Sequence, residues 1–205
     1  MLLSLSKRLY AAHTFEQAIE TILDDMIALH GAEYGNVQLP VGDELVIVAQ
    51  RGLSEPFLRA FARVKKDDGC ACGRALRLHQ TVVISDVEKD PEFAAFLTDA
   101  RTAGFRAVQS TPFFTSDGLL LGIVSTHFAN VHAPTPIELR TQQSYSIVAA
   151  EHVYRLLGNA MLADKAQRMS AALYASGFTT ASASAAAMAK AHDISGGPAS
   201  DFRNR

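Results

Sequence analysis

The two cysteines of the chain lie two residues apart, in the motif Cys70-Ala71-Cys72. A thiol at the start of a helix can become a nucleophilic thiolate, because the helix dipole lowers its pKa. Cysteine is also among the residue types most often buried in apolar cores. Two cysteines without further ligands do not complete a tetrahedral metal site. The motif is therefore open to two interpretations, a redox-active thiol at Cys72 or small residues buried where a short helix packs on a sheet.

Serine and histidine side chains interrupt two later apolar runs, over 107–114 and 119–128. Residues of one parity on a strand share a face. On the second run that face would carry Leu121, Ile123, Ser125 and His127. On the first run the matching face would carry Val108, Ser110 and Pro112. If this face lines a pocket, the serines and His127 would be its convergent polar groups. Alternatively, His127 forms a hydrogen bond that locks its strand to the loop over 129–134.

Length and composition indicate a globular protein with one core, since the chain has 205 residues, of which 48% are hydrophobic and 20% charged. A formal net charge of −2 provides no basic surface for nucleic acid. Lys7 and Arg8 interrupt the apolar N-terminus, which leaves a run too short for a signal peptide or a membrane span. Both cysteines are expected to stay reduced. We therefore expect a cytoplasmic protein with no nucleic-acid or membrane partner.

Local signals predict the order of the elements. The two apolar runs flank Thr115-Ser116-Asp117-Gly118, and Asp-Gly supplies the positive φ of a tight hairpin turn. A long helix is expected after Thr135, where Pro136 takes the first helical position and Glu138 completes a capping box. Another helix is expected after Thr14, because apolar residues recur at helical spacing over 18–27. With one further strand pair, over 34–39 and 44–50, a short single strand over 81–85 and helices between them, the chain is predicted to be α+β with a mostly antiparallel sheet.

Three segments occur in a fixed order along the chain, with the predicted elements between them: Tyr34-Gly35-Asn36-Val37-Gln38-Leu39, Cys72-Gly73-Arg74-Ala75-Leu76 and Ser125-Thr126-His127-Phe128. Together they resemble the GAF domain family, especially the GAF domains of bacterial signalling proteins whose last strand ends in Ser-Thr-His-Phe. The resemblance covers 14–157 and implies a central antiparallel sheet with helices on both faces. It leaves an N-terminal extension over 1–13 and an Ala/Ser-rich C-terminal extension over 158–205, partly helical and then disordered.

The resemblance also implies a function. The chain would be a cytoplasmic sensory or regulatory module, without catalytic activity, that binds an unidentified small molecule or relays a signal through its terminal helices. A signalling protein such as a histidine kinase would be its partner. The ligand-binding residues would be Cys72, Phe105, Val108, Ser110, Ser125 and His127, with no cofactor and no metal. Cyclic nucleotides and a covalent bilin are disfavoured, because the Asn-Lys…Phe-x-x-x-Asp-Glu series is absent and neither cysteine precedes a histidine.

Two alternative functions stay open. The first is a thiol-based redox enzyme or sensor related to free methionine-(R)-sulfoxide reductase, using Cys72 and Cys70. That family attacks its substrate with a further cysteine, which the stretch 101–112 lacks. The second is a degenerate GAF module that serves only dimerisation, its pocket filled by large side chains such as Phe93, Phe96, Phe105 and Phe128.

The last long helix carries an apolar stripe at nearly 3.5-residue spacing, made of Ile147, Ala150, Tyr154, Leu157 and Met161. Such a stripe either covers the sheet of its own domain or pairs with a helix of a second copy. GAF proteins commonly dimerise through their first and last helices, so the resemblance implies a homodimer.

Overall fold

The computed structural model describes residues 1–158 and 162–176, which form one six-stranded sheet with helices on both faces. The strands are β1 (Tyr34–Val41), β2 (Glu44–Arg51), β3 (Arg63–Lys65), β4 (Val82–Ile84), β5 (Ala107–Phe114) and β6 (Leu120–Phe128). The helices are α1 (Leu2–Tyr10), α2 (Phe15–His30), α3 (Glu55–Ala60), α4 (Ala71–Leu78), α5 (Leu97–Ala103), α6 (Pro136–Leu157) and α7 (Leu162–Ala175). The sheet order is β3-β2-β1-β6-β5-β4, with every neighbouring pair antiparallel. The predicted α+β fold is confirmed.

Turn and cap residues form the contacts that their positions predict. In the β5–β6 hairpin Gly118 has a φ of 87°, and the Thr115 hydroxyl accepts a hydrogen bond from the Leu119 N–H at 3.0 Å. At the start of α6 the Thr135 hydroxyl accepts from the Glu138 N–H at 3.3 Å, and the Glu138 carboxylate accepts from the Thr135 N–H at 2.6 Å. The predicted capping box is therefore present.

A β-bulge near the turn changes one predicted face. The register of β5 with β6 shifts after Phe113, which leaves Leu121 as an extra residue on β6. Leu121 consequently packs in the core under the long helices, whereas Ile123 packs in the core on the opposite face. The prediction that these two residues point together is wrong, because the bulge interrupts the alternation.

The long helices α1, α2 and α6 cover one face of the sheet. Asp25 on α2 is buried there, where it pairs with Arg8 on α1 and accepts a hydrogen bond from the Tyr145 hydroxyl on α6. Burial raises the pKa of both Asp25 and Tyr145. Because the three residues lie on three helices, their contacts hold the helical layer together.

The apolar stripe of α6 is divided between core and surface. Ala150 and Leu157 are buried in the core under the helices, whereas Ile147 is 62% exposed and Tyr154 47% exposed. Leu157 therefore belongs to the core of its own domain, because it lies on the buried side of α6. Met161 lies outside the described residues.

The opposite face of the sheet is covered by short elements, namely α3, α4, α5 and the 3₁₀ turn Ala94–Phe96. Gly73 allows α4 to lie directly on the preceding loop. A Cβ atom at this position would be 2.5 Å from the Asp68 carbonyl oxygen and 2.6 Å from the Lys65 carbonyl oxygen. The absence of a side chain at Gly73 therefore permits this packing.

Helix α7 contacts the cores on both faces. Its Ala166 is buried in the core under the long helices, while Leu173 and Tyr174 pack against the core under the short helices. Lys165 pairs with Glu16 at 2.7 Å, and the Tyr174 hydroxyl donates a hydrogen bond to the Leu58 carbonyl oxygen at 2.7 Å. The expected disordered part of the C-terminal extension falls outside the described residues. Among the described helices, none is long and apolar enough to cross a membrane.

Replacement of Gly73 by alanine is expected to lower the free energy of unfolding by about 1–3 kcal/mol, because the added methyl group would meet two backbone carbonyls rather than flexible side chains. Arg77→Ala, on the exposed side of the same helix, is the matched control and should change stability by at most about 0.5 kcal/mol. Urea denaturation followed by circular dichroism measures both. An unchanged midpoint for Gly73→Ala would show that the loop before α4 is not held in place.

Candidate functional site

A small cavity lies between the sheet and the short helices α3 and α4. Its wall is formed by Asn36, Phe57, Phe61, Cys70, Ala71, Cys72, Phe93, Phe105, Val108, Ser110, Ser125 and His127. All six residues that the sequence suggested for ligand binding lie in this wall: Cys72, Phe105, Val108, Ser110, Ser125 and His127. The fold therefore brings together residues that are dispersed along the chain.

Other wall residues were not assigned to a site from the sequence. Asn36 belongs to one of the segments that resemble the GAF family. This resemblance was the sequence feature that could have indicated Asn36 as a wall residue. Phe57 and Phe61 are spaced as on one face of a helix, but periodicity does not reveal which cavity an inward side chain reaches.

Three polar residues form a row across neighbouring strands, which we call the polar row: Asn36 on β1, Ser125 on β6 and Ser110 on β5. Asn36 is paired with Ser125, and Ser125 with Ser110, so the three side chains lie side by side on one face. The two serine hydroxyls are 2.8 Å apart and hydrogen-bond to each other. All three residues are almost fully buried. Within the described residues, the Asn36 Oδ1 atom has no hydrogen-bond partner.

His127 lies two residues beyond Ser125 on the same face of β6. Its ring meets the rings of Phe57 and Phe105 edge to face, with centroids 5.3 Å and 4.7 Å apart. Its Nδ1 atom has no partner among the described residues, so the hydrogen bond that would lock β6 to the following loop is not observed. Burial lowers the pKa of His127 to about 3. The imidazole is therefore neutral at physiological pH.

Aromatic rings form much of the remaining wall. Phe57 of α3 and Phe61, the residue after this helix, stack at 4.4 Å between centroids, and Phe93 contacts Phe105 at 6.3 Å. None of the wall residues is Asp, Glu, Lys or Arg. The lining is consequently apolar and uncharged, with polar groups concentrated on the sheet.

The two cysteines lie at the start of α4, with their sulfur atoms 3.4 Å apart. Both are buried and reduced. The hydrogen bond from Cys72 lowers the pKa of Cys70, whereas the same contact and burial raise the pKa of Cys72. No group of three or more metal-ligating side chains is found in the described part of the chain.

The cavity is nearly filled by its own side chains. Its free volume is about 10 Å³, roughly enough for one water molecule. Hydrogen-bonded strands form the floor, while the roof consists of α3 with six residues, α4 with eight, and phenylalanines from connecting segments. A larger occupant would therefore enter by displacement of the roof.

Solved structures with the same fold include three bacterial proteins. The GAF domain of a phosphoenolpyruvate-protein phosphotransferase from Coxiella burnetii is 18% identical, with a TM-score of 0.63 over 75% of this chain and 90% of that chain. Free methionine-R-sulfoxide reductase from Neisseria meningitidis, in complex with its substrate, is 17% identical, with a TM-score of 0.62 over 76% and 87% of the two chains. The chromophore-binding domain of a bacteriophytochrome from R. palustris is 15% identical, with a TM-score of 0.58 over 76% and 60%.

These identities are low, so the three likenesses concern the fold alone. No significant match is found among curated proteins. At the level of sequence, the family model for the GAF domain matches residues 12–146, well over half of the chain. This segment includes the six strands and the whole wall of the cavity. The chain therefore belongs to the GAF domain family.

Proposed function

We propose that this GAF domain is a sensory or regulatory module that binds a small molecule in the cavity beneath α3 and α4 and relays occupancy to its terminal helices. One observation carries the proposal: the Asn36 Oδ1 and His127 Nδ1 atoms are buried at the cavity and have no hydrogen-bond partner in the described part of the chain. A buried polar atom without a partner costs roughly 1–3 kcal/mol and is rare in folded proteins. A bound molecule with hydrogen-bonding groups would satisfy both atoms.

One route for a signal runs from β5 to α6. Ser110 of the polar row is flanked by Gln109 and Thr111, whose side chains face the opposite side of the sheet. The Gln109 amide donates a hydrogen bond to Gln142 on α6, and the Gln142 amide donates to the Thr111 hydroxyl at 2.5 Å. A displacement of β5 at the cavity would therefore act directly on α6.

A second route runs from α3 to α7. Phe57 belongs to the cavity wall, and the next residue, Leu58, accepts a hydrogen bond from the Tyr174 hydroxyl. Outward movement of α3 would break or strain this contact. Opening of the cavity would thereby loosen α7, which is also attached to α2 through the ion pair of Lys165 with Glu16.

The expected homodimer is part of the same proposal. Apolar side chains are exposed on the two helices that would meet a second copy: Leu3 and Tyr10 on α1, with Ile147 and Tyr154 on α6. Helices α1 and α6 also contact each other. We propose that a partner such as a histidine kinase responds to the arrangement of these helices in the dimer. The cytoplasm, where reduced thiols persist, is the proposed location.

The thiol-based alternative is favoured by one observation, the 3.4 Å approach of the Cys70 and Cys72 sulfur atoms. Against it stand the burial of both thiols and the lack of a third cysteine anywhere in the chain. We therefore propose a role without catalysis, in which the two cysteines are packing residues of the cavity wall.

Replacement of both Cys70 and Cys72 by alanine is expected to preserve the fold and to remove no activity, since the wild-type chain would have no turnover to lose. The assay is dithiothreitol-dependent reduction of free methionine-(R)-sulfoxide, with circular dichroism as the check on folding. The single variants Cys70→Ala and Cys72→Ala serve as controls. Turnover by the wild type that disappears in the double variant would establish the redox function instead.

Tyr174→Phe is expected to make the roof of the cavity open more readily, because it removes the hydrogen bond to Leu58. A loss of about 1 kcal/mol corresponds to a roughly fivefold larger population of the open form. The rate at which 5,5′-dithiobis(2-nitrobenzoate) modifies the two buried thiols of the native protein measures this population. Tyr154→Phe, on the exposed side of α6, is the matched control and should label at the wild-type rate. Equal rates for Tyr174→Phe and wild type would contradict the route through α7.

Ile147→Glu is expected to convert the homodimer to a folded monomer, because it places a charge in the proposed contact while leaving the core intact. Sedimentation velocity at micromolar concentration measures the change, and thermal melts verify folding. Leu157→Glu is the contrasting variant and should lose several kcal/mol of stability, since its carboxylate would be buried without a partner. A wild type that sediments as a monomer would refute the dimer, as would an Ile147→Glu variant that remains dimeric.

A further inference from the structure

The cavity offers no charge to balance a charged ligand. Of the residues that the structure describes, no Asp, Glu, Lys or Arg lines it, and burial keeps the His127 imidazole neutral at physiological pH. Two arginines close in sequence to wall residues, Arg74 and Arg106, do not belong to the wall. They form ion pairs with Asp90 and Asp86, respectively. An ion transferred into such surroundings would lose its hydration without gaining a partner. The occupant should therefore carry no net charge.

The polar groups that remain to be satisfied define which chemical groups the occupant presents. Asn36 Oδ1 is an acceptor and requires a donor such as an N–H. The neutral ring of His127 has one N–H and one acceptor nitrogen, and its unpartnered Nδ1 can take either role according to the tautomer. The Ser110 and Ser125 hydroxyls share one hydrogen bond, which leaves one O–H free to donate. The cavity thus offers both an acceptor and a donor to its occupant.

These groups lie along one edge of the site. Asn36 and Ser110 are two strands apart with Ser125 between them, so the polar row spans about 10 Å. Gln38, the next residue of β1 with the parity of Asn36, is also buried, and both of its side-chain amide atoms lack partners among the described residues. The phenylalanine rings opposite the sheet suit a flat occupant, because aromatic rings stack or meet edge to face. A planar molecule could lie with its polar edge on this row.

We propose that the cavity binds an uncharged planar molecule whose edge carries an N–H donor next to a C=O acceptor, the chemistry of an aromatic carboxamide or a lactam. This inference rests on the proposed function, since it identifies the ligand class of the same site. Asn36 accepts from the N–H of the ligand, while the free serine hydroxyl and the His127 ring face its carbonyl group. Because the free volume is small, binding displaces Phe57 of α3 and the neighbouring Phe61, and it proceeds together with opening of the roof.

The test uses the full chain and matched pairs of probes that differ in charge, benzamide against benzoate and nicotinamide against nicotinate. Isothermal titration calorimetry measures the affinity of each probe, and weaker binding to Ser110→Ala than to the wild type locates the probe on the polar row. Each amide is expected to bind at least tenfold more tightly than its carboxylate. A carboxylate that binds as tightly as its amide, with the same loss of affinity in Ser110→Ala, would overturn the ligand class and leave the proposed function standing. Binding of neither type would also overturn the ligand class.

Asn36→Leu provides an independent readout. It is expected to weaken amide binding at least tenfold and to raise the melting temperature of the free protein, because it removes a buried acceptor that lacks a partner. Thr126→Val is the matched control, a buried polar residue on the opposite face of β6 whose replacement should leave amide affinity unchanged. If Asn36→Leu melts at a lower temperature and binds amides as the wild type does, Asn36 is structural and the assignment is wrong. Ser110→Ala repeats the binding test should Asn36→Leu fail to fold.

Discussion

Strand β6 is hydrogen-bonded on both sides, to β1 and to β5, and the rest of the structure depends on this double pairing. Successive residues of a strand point to opposite faces, so Ser125 and His127 face the cavity while Val124 and Thr126 face the long helices. The register then places Asn36 beside Ser125. Polar groups from separate parts of the chain thus share one buried surface, and a shift of one residue would turn all of them toward the helices.

How far the sequence predicts this arrangement depends on how local each signal is. The hairpin turn and the capping box of α6 could be predicted because each is formed by residues within a few positions of one another. The cavity-facing parity of Ser110, Ser125 and His127 followed from alternation alone. The place of Asn36 could not be derived, since it depends on the register between β1 and β6, which distant parts of the chain determine.

Other features were beyond sequence reasoning for equally physical reasons. The bulge at Leu121 changes the parity of β6, and the neighbouring Gly122 does not by itself specify which residue of the strand is left unpaired. The spacing of Ile147 and Leu157 indicates that both lie near one side of α6, but only the packed structure shows that Leu157 is turned to the core and Ile147 to the surface. The volume of the cavity depends on side-chain conformations of several phenylalanines, which no sequence pattern specifies.

The cavity combines a rigid floor with a roof of lower stability. The floor strands are each paired with neighbours, whereas α3 and α4 are short helices that depend on tertiary contacts for their stability. Elements of this kind open at low free-energy cost, while core strands do not. A binding site that is nearly closed when empty is the expected result, and binding would select the open form from an existing equilibrium.

The family-matched segment ends at residue 146, in the middle of α6, yet the hydrophobic core continues beyond it. Val153 and Leu157 are buried in the same core as Phe15, as is Ala166 on α7, and the ring of His152 bonds the carbonyl oxygen of Ala12 at 3.0 Å. A fragment cut at the end of the family match would expose this strip of core and remove the part of α6 whose His152 bonds the chain just after α1. A fragment of this protein that is fused to another polypeptide and still folds must therefore be longer than the segment that the family model matches.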